Sequence, residues 1–344
     1  MKVFIIGGTG LISTAIREEL AGRGDSVVLF NRGLSPSRGT RAERQIIGDR
    51  NDEAALSEAL RREKPDAVID MVAYAPDQAL ALLRASEGQT PQVLVCSSVC
   101  VYGGPLTRIP ATEDEPHRPV GQYGRDKSAI ESLILGREGA GAHSTVIRPS
   151  YTTGEGATAG GLVFDDSTVD RLRRGLPVVV MDDGRAAWAI AHVSDVARAF
   201  VGALGNPRAF GQAYHVTSDE HTDWNGIFKA LAEAADGPPP RLAHIPSDWL
   251  YRQAPRRSVG IQYIFRFPSI FDNSKAARDL GFRSTVPLVE TFRRQIAWME
   301  AEGKIKPAAS ELVQDELIAA YTAGRNVDPA SFEDSNTWGN SSTG

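Results

Sequence analysis

Short apolar runs rich in β-branched residues alternate with amphipathic stretches through the first half of the chain. The runs predict strands at Lys2–Ile6, Ser26–Phe30, Gln45–Ile47, Ala67–Asp70, Val93–Cys96 and Ser144–Ile147. Between them, helical spacing of apolar residues predicts helices over Leu11–Arg23, Glu53–Arg62, Asp77–Ser86 and Tyr123–Leu135. The strands are apolar throughout rather than alternately, so both faces of their sheet must be covered. Strand–helix alternation with right-handed crossovers then gives a doubly wound, parallel α/β fold. Its ligand belongs at the carboxyl ends of the strands.

After Pro149 the rhythm loosens. A Gly-, Thr- and Asp-rich loop within 151–176 leads to a helix near Val169–Arg174 and a strand at Pro177–Met181. Ser194–Leu204 (helix) and Tyr214–Thr217 (strand) return to the main sheet. A helix at Trp224–Ala235, a strand at Leu242–Ile245 and an amphipathic helix at Leu288–Ala301 build a smaller α+β lobe for substrate. The expected organisation is a dinucleotide-binding domain over 1–175 that also receives 190–220, a substrate lobe over 176–305, a helical extension over 306–338 with its helix around Glu311–Tyr321, and a disordered tail at 339–344.

Composition narrows this only a little. A chain of 344 residues exceeds the size of one ordinary domain. Its net charge of −5 argues against a generic nucleic-acid-binding surface. Two cysteines, Cys96 and Cys100, fit neither a disulfide framework nor a zinc site, and suit a reducing compartment. The histidines show no metal-ligand spacing, so no metal is expected. The apolar start breaks at glycines after a few residues and reads as a first strand rather than a signal peptide. No run reaches the ~18 apolar residues that span a membrane. A cytoplasmic protein is expected.

The chemistry sits in three strings. Gly7-Gly8-Thr9-Gly10-Leu11-Ile12-Ser13 joins the first strand to the first helix. That is the Rossmann context, in which a tight turn and a bare helix start cradle a pyrophosphate. Gly7, Thr9, Gly10, Leu11 and Ile12 are the candidate contacts. At the end of the second strand, where an acidic residue would bind the ribose of NAD, the chain has Asn31 and Arg32. Arg32 can pair with the extra phosphate of NADP, or merely stack on adenine or face solvent. NADP is favoured, and NAD stays compatible. Asp49 is placed to accept from the adenine amino group, or else to cap the following helix, and Arg50 beside it is a further candidate cofactor contact. Ala73 and Tyr74 should line the ribose and pyrophosphate crevice.

Ser97-Ser98-Val99-Cys100-Val101-Tyr102-Gly103 and Tyr123-Gly-Arg-Asp-Lys127 complete the set. Tyr123 and Lys127 are four apart and share a helical face. A tyrosine is a poor base at neutral pH, but a neighbouring ammonium favours the phenolate and lowers its pKa. Ser98 would hydrogen-bond the reacting oxygen; Lys127 can also hold the nicotinamide ribose, and Ser97 and Tyr123 are candidate cofactor contacts with it.

With the later strings Val146-Ile147-Arg148-Pro149, His192–Ala197, Tyr214-His215-Val216 and Asp272–Phe282, the chain resembles the extended short-chain dehydrogenase/reductase superfamily. Within it, the likeness is to the NAD-dependent epimerase/dehydratase branch that includes UDP-galactose 4-epimerase, from Met1 to about Gly303. The resemblance implies Ser98, Tyr123 and Lys127 as catalytic residues, Pro149 against the nicotinamide, a sugar or nucleotide-sugar substrate, and a homodimer. It also disfavours 4,6-dehydration, because Val99-Cys100 stands where those dehydratases carry Asp-Glu. Cys100 falls where some epimerases keep an acid/base cysteine, the alternative being a small packed residue. The 4-epimerases' diphosphate-binding arginine is Trp188 here, which either packs in the core or meets a sugar face. Arg185, Arg256, Arg257 or Arg266 could replace that cation. Tyr102, Tyr151 and Trp188 are the candidate substrate contacts.

Two function classes follow. The first is an NAD(P)-dependent epimerase or dehydrogenase that passes a sugar-like alcohol through a ketone; the sequence does not choose between these, nor between a nucleotide-linked and a free sugar. The second is an RNA-binding or cofactor-sensing protein, since Phe30–Gly33 and the glycine turn also resemble the chloroplast stem-loop RNA-binding branch. The acidic balance and the intact Ser98–Tyr123–Lys127 set argue against it, and no nucleic-acid partner is expected.

Overall fold

The computed structural model describes residues 1–34, 44–137, 141–158 and 165–327. Its first half runs β1 (Lys2–Ile6), α1 (Leu11–Arg23), β2 (Ser26–Asn31), β3 (Arg44–Ile47), α2 (Glu53–Glu63), β4 (Ala67–Asp70), α3 (Pro76–Ser86), β5 (Gln92–Cys96), α4 (Gly121–Leu135) and β6 (His143–Pro149). There follow β7 (Thr152–Thr153), α5 (Thr168–Arg173), β8 (Val178–Met181), β9 (Ala187–Trp188), β10 (Ala191–His192), α6 (Val193–Ala203) and β11 (Gln212–Val216). The last stretch holds β12 (Thr222–Asp223), α7 (Trp224–Ala234), β13 (Leu242–Ile245), α8 (Ser247–Gln253), α9 (Ser274–Leu280), α10 (Leu288–Ala301) and α11 (Val313–Thr322).

Seven strands form one sheet in the order β11-β6-β5-β4-β1-β2-β3, every neighbouring pair parallel. The apolar run of β1 shows why. Val3 and Ile5 enter a core shared with Ile16 and Leu20 of α1 and Val196 and Phe200 of α6. Phe4 and Ile6 enter the opposite core with Leu56 and Leu60 of α2, Leu82 of α3 and Ile130 of α4. Successive side chains of a strand point to opposite faces, so a strand buried on both sides must be apolar at every position.

A separate core lies in the C-terminal half, where Trp224 and Phe228 of α7, Val180 of β8, Phe292 and Ile296 of α10 and Leu317 of α11 pack together. Polar bonds tie α11 to this half. Arg171, fully buried, donates to the Asp315 carboxylate at 2.5 and 2.8 Å. Gln314 accepts from the Val179 N–H at 2.9 Å and donates to Asp165 at 2.6 Å.

The sequence pattern misses α8, α9, a π-helical turn at Ile261–Phe265 and the two-residue strands β7, β9, β10 and β12. These elements are too short for a periodicity to register, and partners distant in the chain hold them: β9 pairs with β12. The expected disorder of 339–344, the last part of the 306–338 extension and part of the 151–176 loop lie outside the described residues.

Candidate active site

The carboxyl ends of the central strands open on one cleft of about 430 Å³. At the turn from β1 to α1, Gly7 and Gly8 have φ of +99° and +95°, a region only glycine enters freely. A Cβ on Gly8 would sit 2.6 Å from Leu29 Cδ2. Gly10 is the N-cap of α1; it makes no side-chain cap, and the first turn carries no acidic residue. The Gly7 N–H is taken by the Phe30 carbonyl at 2.9 Å, but the N–H groups of the helix start have no side-chain cap and suit an anion, and Gly10, Leu11 and Ile12 line the cleft there. Below, the buried Arg17 donates to the Gly8 carbonyl at 2.8 Å, fixing the turn and adding positive charge. These features fit a dinucleotide's diphosphate.

At the ends of β2 and β3, Asn31, Arg32, Asp49 and Arg50 all line the cleft. The Asn31 amide is committed locally. It donates to the Gly7 carbonyl at 2.9 Å and accepts from the Gly33 N–H at 2.9 Å and Gln45 at 2.7 Å. It fastens the glycine turn to the second and third strands. Asp49 accepts from the Asn51 N–H at 2.8 Å, while Asp52 caps α2 by accepting from the Ala55 N–H at 3.0 Å. The capping alternative for Asp49 is thereby removed.

Ser98, Tyr123 and Lys127 converge at the other end with Tyr74, Ser97 and Pro149. Ser98 starts a short 3₁₀ turn at Val99–Val101, and its hydroxyl accepts from the Cys100 N–H at 3.2 Å. The Ser98 side chain favours the ionised form of the Tyr123 phenol, against the larger effect of burial. Lys127, 1% exposed, donates to the carbonyls of Ala73 and Cys96, both at 2.8 Å. Its ammonium lies 4.9 Å from the Tyr74 ring centre and 5.7 Å from that of Tyr123. Gly124 makes the convergence sterically feasible. A Cβ there would stand 2.6 Å from the Cys100 carbonyl oxygen, so glycine lets α4 approach the serine turn.

The electrostatics differ from the sequence expectation. Tyr123 is exposed as a residue, yet desolvation of its phenol within the cleft holds the pKa above its usual 10. Burial also lowers the pKa of Lys127. The ammonium is directed at two backbone carbonyls, so its proximity does not overcome the desolvation of the phenol.

Five candidates need correction. The Ala73 side chain is fully buried, and it is the carbonyl that meets Lys127. Cys100 does not line the cleft, and burial pushes its thiol pKa up rather than down. Trp188 is 2% exposed, donates its indole N–H to the Phe267 carbonyl at 2.8 Å, and packs against Trp224 and Phe265. Tyr151 is half-buried against the same C-terminal core, 6.1 Å from the Phe265 ring, and does not line the main cleft, although its neighbours Ser150 and Thr152 do. Tyr102 is buried in a polar network. Of the candidate replacement cations, Arg257 pairs with Glu311 at 3.0 Å and Arg266 with Asp248 at 2.6 Å.

That network centres on Glu131 and Arg148, paired at 2.5 Å and both nearly inaccessible. Ser97 donates to Glu131. Arg148 donates to the Tyr102 oxygen at 2.5 Å, Tyr102 and His215 Nε2 are 2.6 Å apart, and His215 Nδ1 is 3.3 Å from the Asp272 carbonyl. With Arg148 as donor to its oxygen, Tyr102 turns its proton to His215 Nε2. Nδ1 then carries the imidazole hydrogen. Burial drives the His215 pKa down to about 3, consistent with that neutral ring. Glu131 stands one helical turn beyond Lys127, so α4 carries both the candidate catalytic residues and their support. Sequence reasoning missed Arg17, Gly124 and Glu131; only Glu131, four residues past Lys127, had a readable spacing.

Among the described residues, no helix is long and apolar enough to cross a membrane.

Comparison with known proteins agrees with this architecture. The family model described as "NAD dependent epimerase/dehydratase family" matches residues 3–217. A 2'-dehydrokanamycin reductase from Streptomyces kanamyceticus is 30% identical over 255 residues, 74% of this chain and 72% of the relative. The chloroplast stem-loop binding protein of 41 kDa b from Arabidopsis thaliana is 27% identical over 332 residues, 92% of this chain and 84% of the relative. A UDP-glucose 4-epimerase structure from Thermotoga maritima, with UDP-glucose, superposes with a TM-score of 0.72 at 21% identity, covering 88% of this chain and 99% of that one. A glycine turn at the mouth of a seven-stranded parallel sheet and a family match across the whole of that sheet lead to one assignment: the chain belongs to the NAD-dependent epimerase/dehydratase family of extended short-chain dehydrogenases/reductases.

Proposed function

We propose that this protein is an NAD(P)-dependent oxidoreductase that interconverts a secondary alcohol and a ketone on a sugar or sugar-like substrate, with Ser98, Tyr123 and Lys127 as its catalytic residues. The observation that carries the reading is the meeting of these three side chains at one end of a cleft that also holds the glycine turn. A bound nicotinamide would supply or accept the hydride. Tyr123 moves the proton. Its phenol is held in the protonated form, the form that donates to a carbonyl oxygen during reduction, while Ser98 hydrogen-bonds the same oxygen. Lys127 places positive charge beside the phenol and eases the reverse transfer.

The reductase direction is also supported by the relative named for reducing 2'-dehydrokanamycin; an epimerase would complete the cycle by returning hydride to the opposite face of the ketone. NADP is the favoured cofactor, because β2 ends in Asn31 where NAD binding would want a carboxylate, and Arg32 lines the cleft beside it. The protein is proposed to act in the cytoplasm as a homodimer.

The test is to incubate the protein with NADPH or NADH and a panel of keto-sugars, and with the oxidised cofactors and the matching alcohols or nucleotide sugars. Stoichiometric oxidation of NADPH, lowered about 10²-fold or more in Tyr123→Phe, is the expected result. Sugar inversion without net cofactor consumption would assign the epimerase instead. Wild-type turnover in Tyr123→Phe would overturn the proposal.

A second reading, RNA binding, is favoured by the near full-length similarity to the chloroplast stem-loop binding protein. It requires stem-loop RNA affinity that falls steeply with salt.

A further inference from the structure

His117 lies in the segment that leads into α4, and its ring reaches the buried Arg148. Arg148 has an acceptor for each of its five N–H groups. Nε donates to Glu131, Nη1 to the Tyr102 oxygen and the Glu113 carbonyl, and Nη2 to Glu131 at 2.5 Å and His117 Nε2 at 3.2 Å. A guanidinium only donates, so His117 Nε2 is the bare nitrogen of a neutral ring. Nδ1 then carries the hydrogen and donates to the Ser128 hydroxyl on α4 at 2.9 Å. The Tyr102 ring meets the imidazole edge-on at 5.5 Å.

These groups differ in their access to water. The side chains of Glu131 and Arg148 are 1% and 5% exposed, while that of His117 is 25% exposed. His117 is thus where solvent can deliver a proton to the network. The charged groups facing it are Arg148 on β6 and Glu131 on α4. Burial lowers its pKa below the usual 6.5, with Glu131 opposing that effect and Arg148 adding to it. A proton on Nε2 would set two donors and two positive charges against each other across 3.2 Å. The carboxylate oxygen it faces, Glu131 Oε2 at 3.7 Å, is already held by Arg148. The network also adjoins the catalytic end of the cleft at three places. Ser97, bonded to Glu131, precedes Ser98; Glu131 stands one turn past Lys127; and Arg148 precedes Pro149.

Building on the proposed reaction, we infer that His117 is a positioning residue for Ser98 and Lys127, holding them as a neutral acceptor to Arg148 and releasing them when it takes a proton from solvent. Protonation turns His117 from a partner of Arg148 into a competitor for Glu131. The serine turn and α4, which meet through Glu131, then lose their common anchor. Turnover is therefore expected to have an acid limb set by a residue that does not line the cleft.

The test follows the full chain from about pH 8 to about pH 5 by two readouts. One is kcat for a keto-sugar with NADPH, against an enzyme-free blank. The other is the amide NMR signal of Ser97 in protein labelled with 15N-serine, assigned by its loss in Ser97→Ala. Both are expected to change with one shared midpoint below pH 6.5, kcat falling about tenfold. His117→Gln, whose carbonyl can accept from Arg148 but does not titrate, should lose both transitions. His117→Ala strands an Arg148 donor and should lower kcat about tenfold even near pH 8, an effect that glutamine largely rescues. Transitions that persist in His117→Gln, a wild type that shows neither transition, or full turnover by His117→Ala would each overturn the inference. A wild-type chain that turns over no keto-sugar would refute the proposed reaction instead, and the Ser97 signal would still decide whether His117 governs the serine turn.

Discussion

Tyr123 and Trp188 are both aromatic residues that the sequence made candidates for the site, Trp188 with core packing as its alternative, and the structure treats them oppositely. Tyr123 enters the cleft because α4 is pinned on both sides. Gly124 allows close contact with the serine turn, and Glu131 anchors the helix through Ser97 and Arg148. Trp188 turns into the C-terminal core, where Trp224 packs against it at a tilt and Phe265 edge-on, and the Phe267 carbonyl takes its N–H. The dinucleotide half builds its site from strand ends and helix starts that lie close in the chain. The substrate half is organised by contacts between distant segments, so a residue's position in the sequence says little about where its side chain goes.

The comparison can be broken at several points. The largest effect is expected from Tyr123→Phe, which removes the proton carrier. Turnover should fall about 10²- to 10⁴-fold while dinucleotide affinity stays within a factor of about two. Steady-state kinetics with a parallel binding titration checks this, and an equal loss of both would contradict the role given to Tyr123. Next is Glu131→Ala, which strands Arg148 inside the protein. A destabilisation of about 3–5 kcal/mol is expected in chemical denaturation. An unchanged midpoint would show that the network does not hold α4.

Gly124→Ala sharpens the argument by geometry alone. The added methyl meets a backbone oxygen, so α4 must retreat from Ser98, and a loss of kcat of about 10²-fold is expected with cofactor binding retained. In the other half, Asp315→Asn should cost only about 1 kcal/mol, since Asp315 is half exposed even though its partner Arg171 is fully buried. That variant should leave dinucleotide affinity unchanged, as thermal melts with and without cofactor would show.

The last effect is on pH dependence. His215 has a folded pKa of about 3 against an ordinary 6.5. Between those values the unfolded chain takes up a proton that the folded protein refuses. Stability from this group is therefore full above pH 6.5 and is lost as the pH falls toward 3. Melting temperatures across that window should decline less steeply in His215→Asn than in the wild type.

How much of this was legible follows the same division. The strand–helix alternation fixed the sheet, and the glycine turn, Asp49, Ser98, Tyr123 and Lys127 all came together in one cleft. Those features depend on local strings and on the rule that a parallel sheet presents its ligands at the strand ends. The state of the Tyr123 phenol was not legible, because it depends on how deeply the hydroxyl is enclosed and on which acceptors hold Lys127. Tyr102 could not be placed either. Its partners Arg148 and His215 lie on β6 and β11, far from it in the chain. Arg17 looks like any surface arginine on α1 until the turn folds over it.

The central claim is that the cleft holds a nicotinamide dinucleotide. The most direct test is to denature the purified protein, identify any released dinucleotide, and titrate the cofactor-free chain with NAD+, NADH, NADP+ and NADPH. The account expects one site per chain, tighter for NADP(H), with that preference reduced about tenfold in Arg32→Ala. Failure to release or bind any of the four would contradict it.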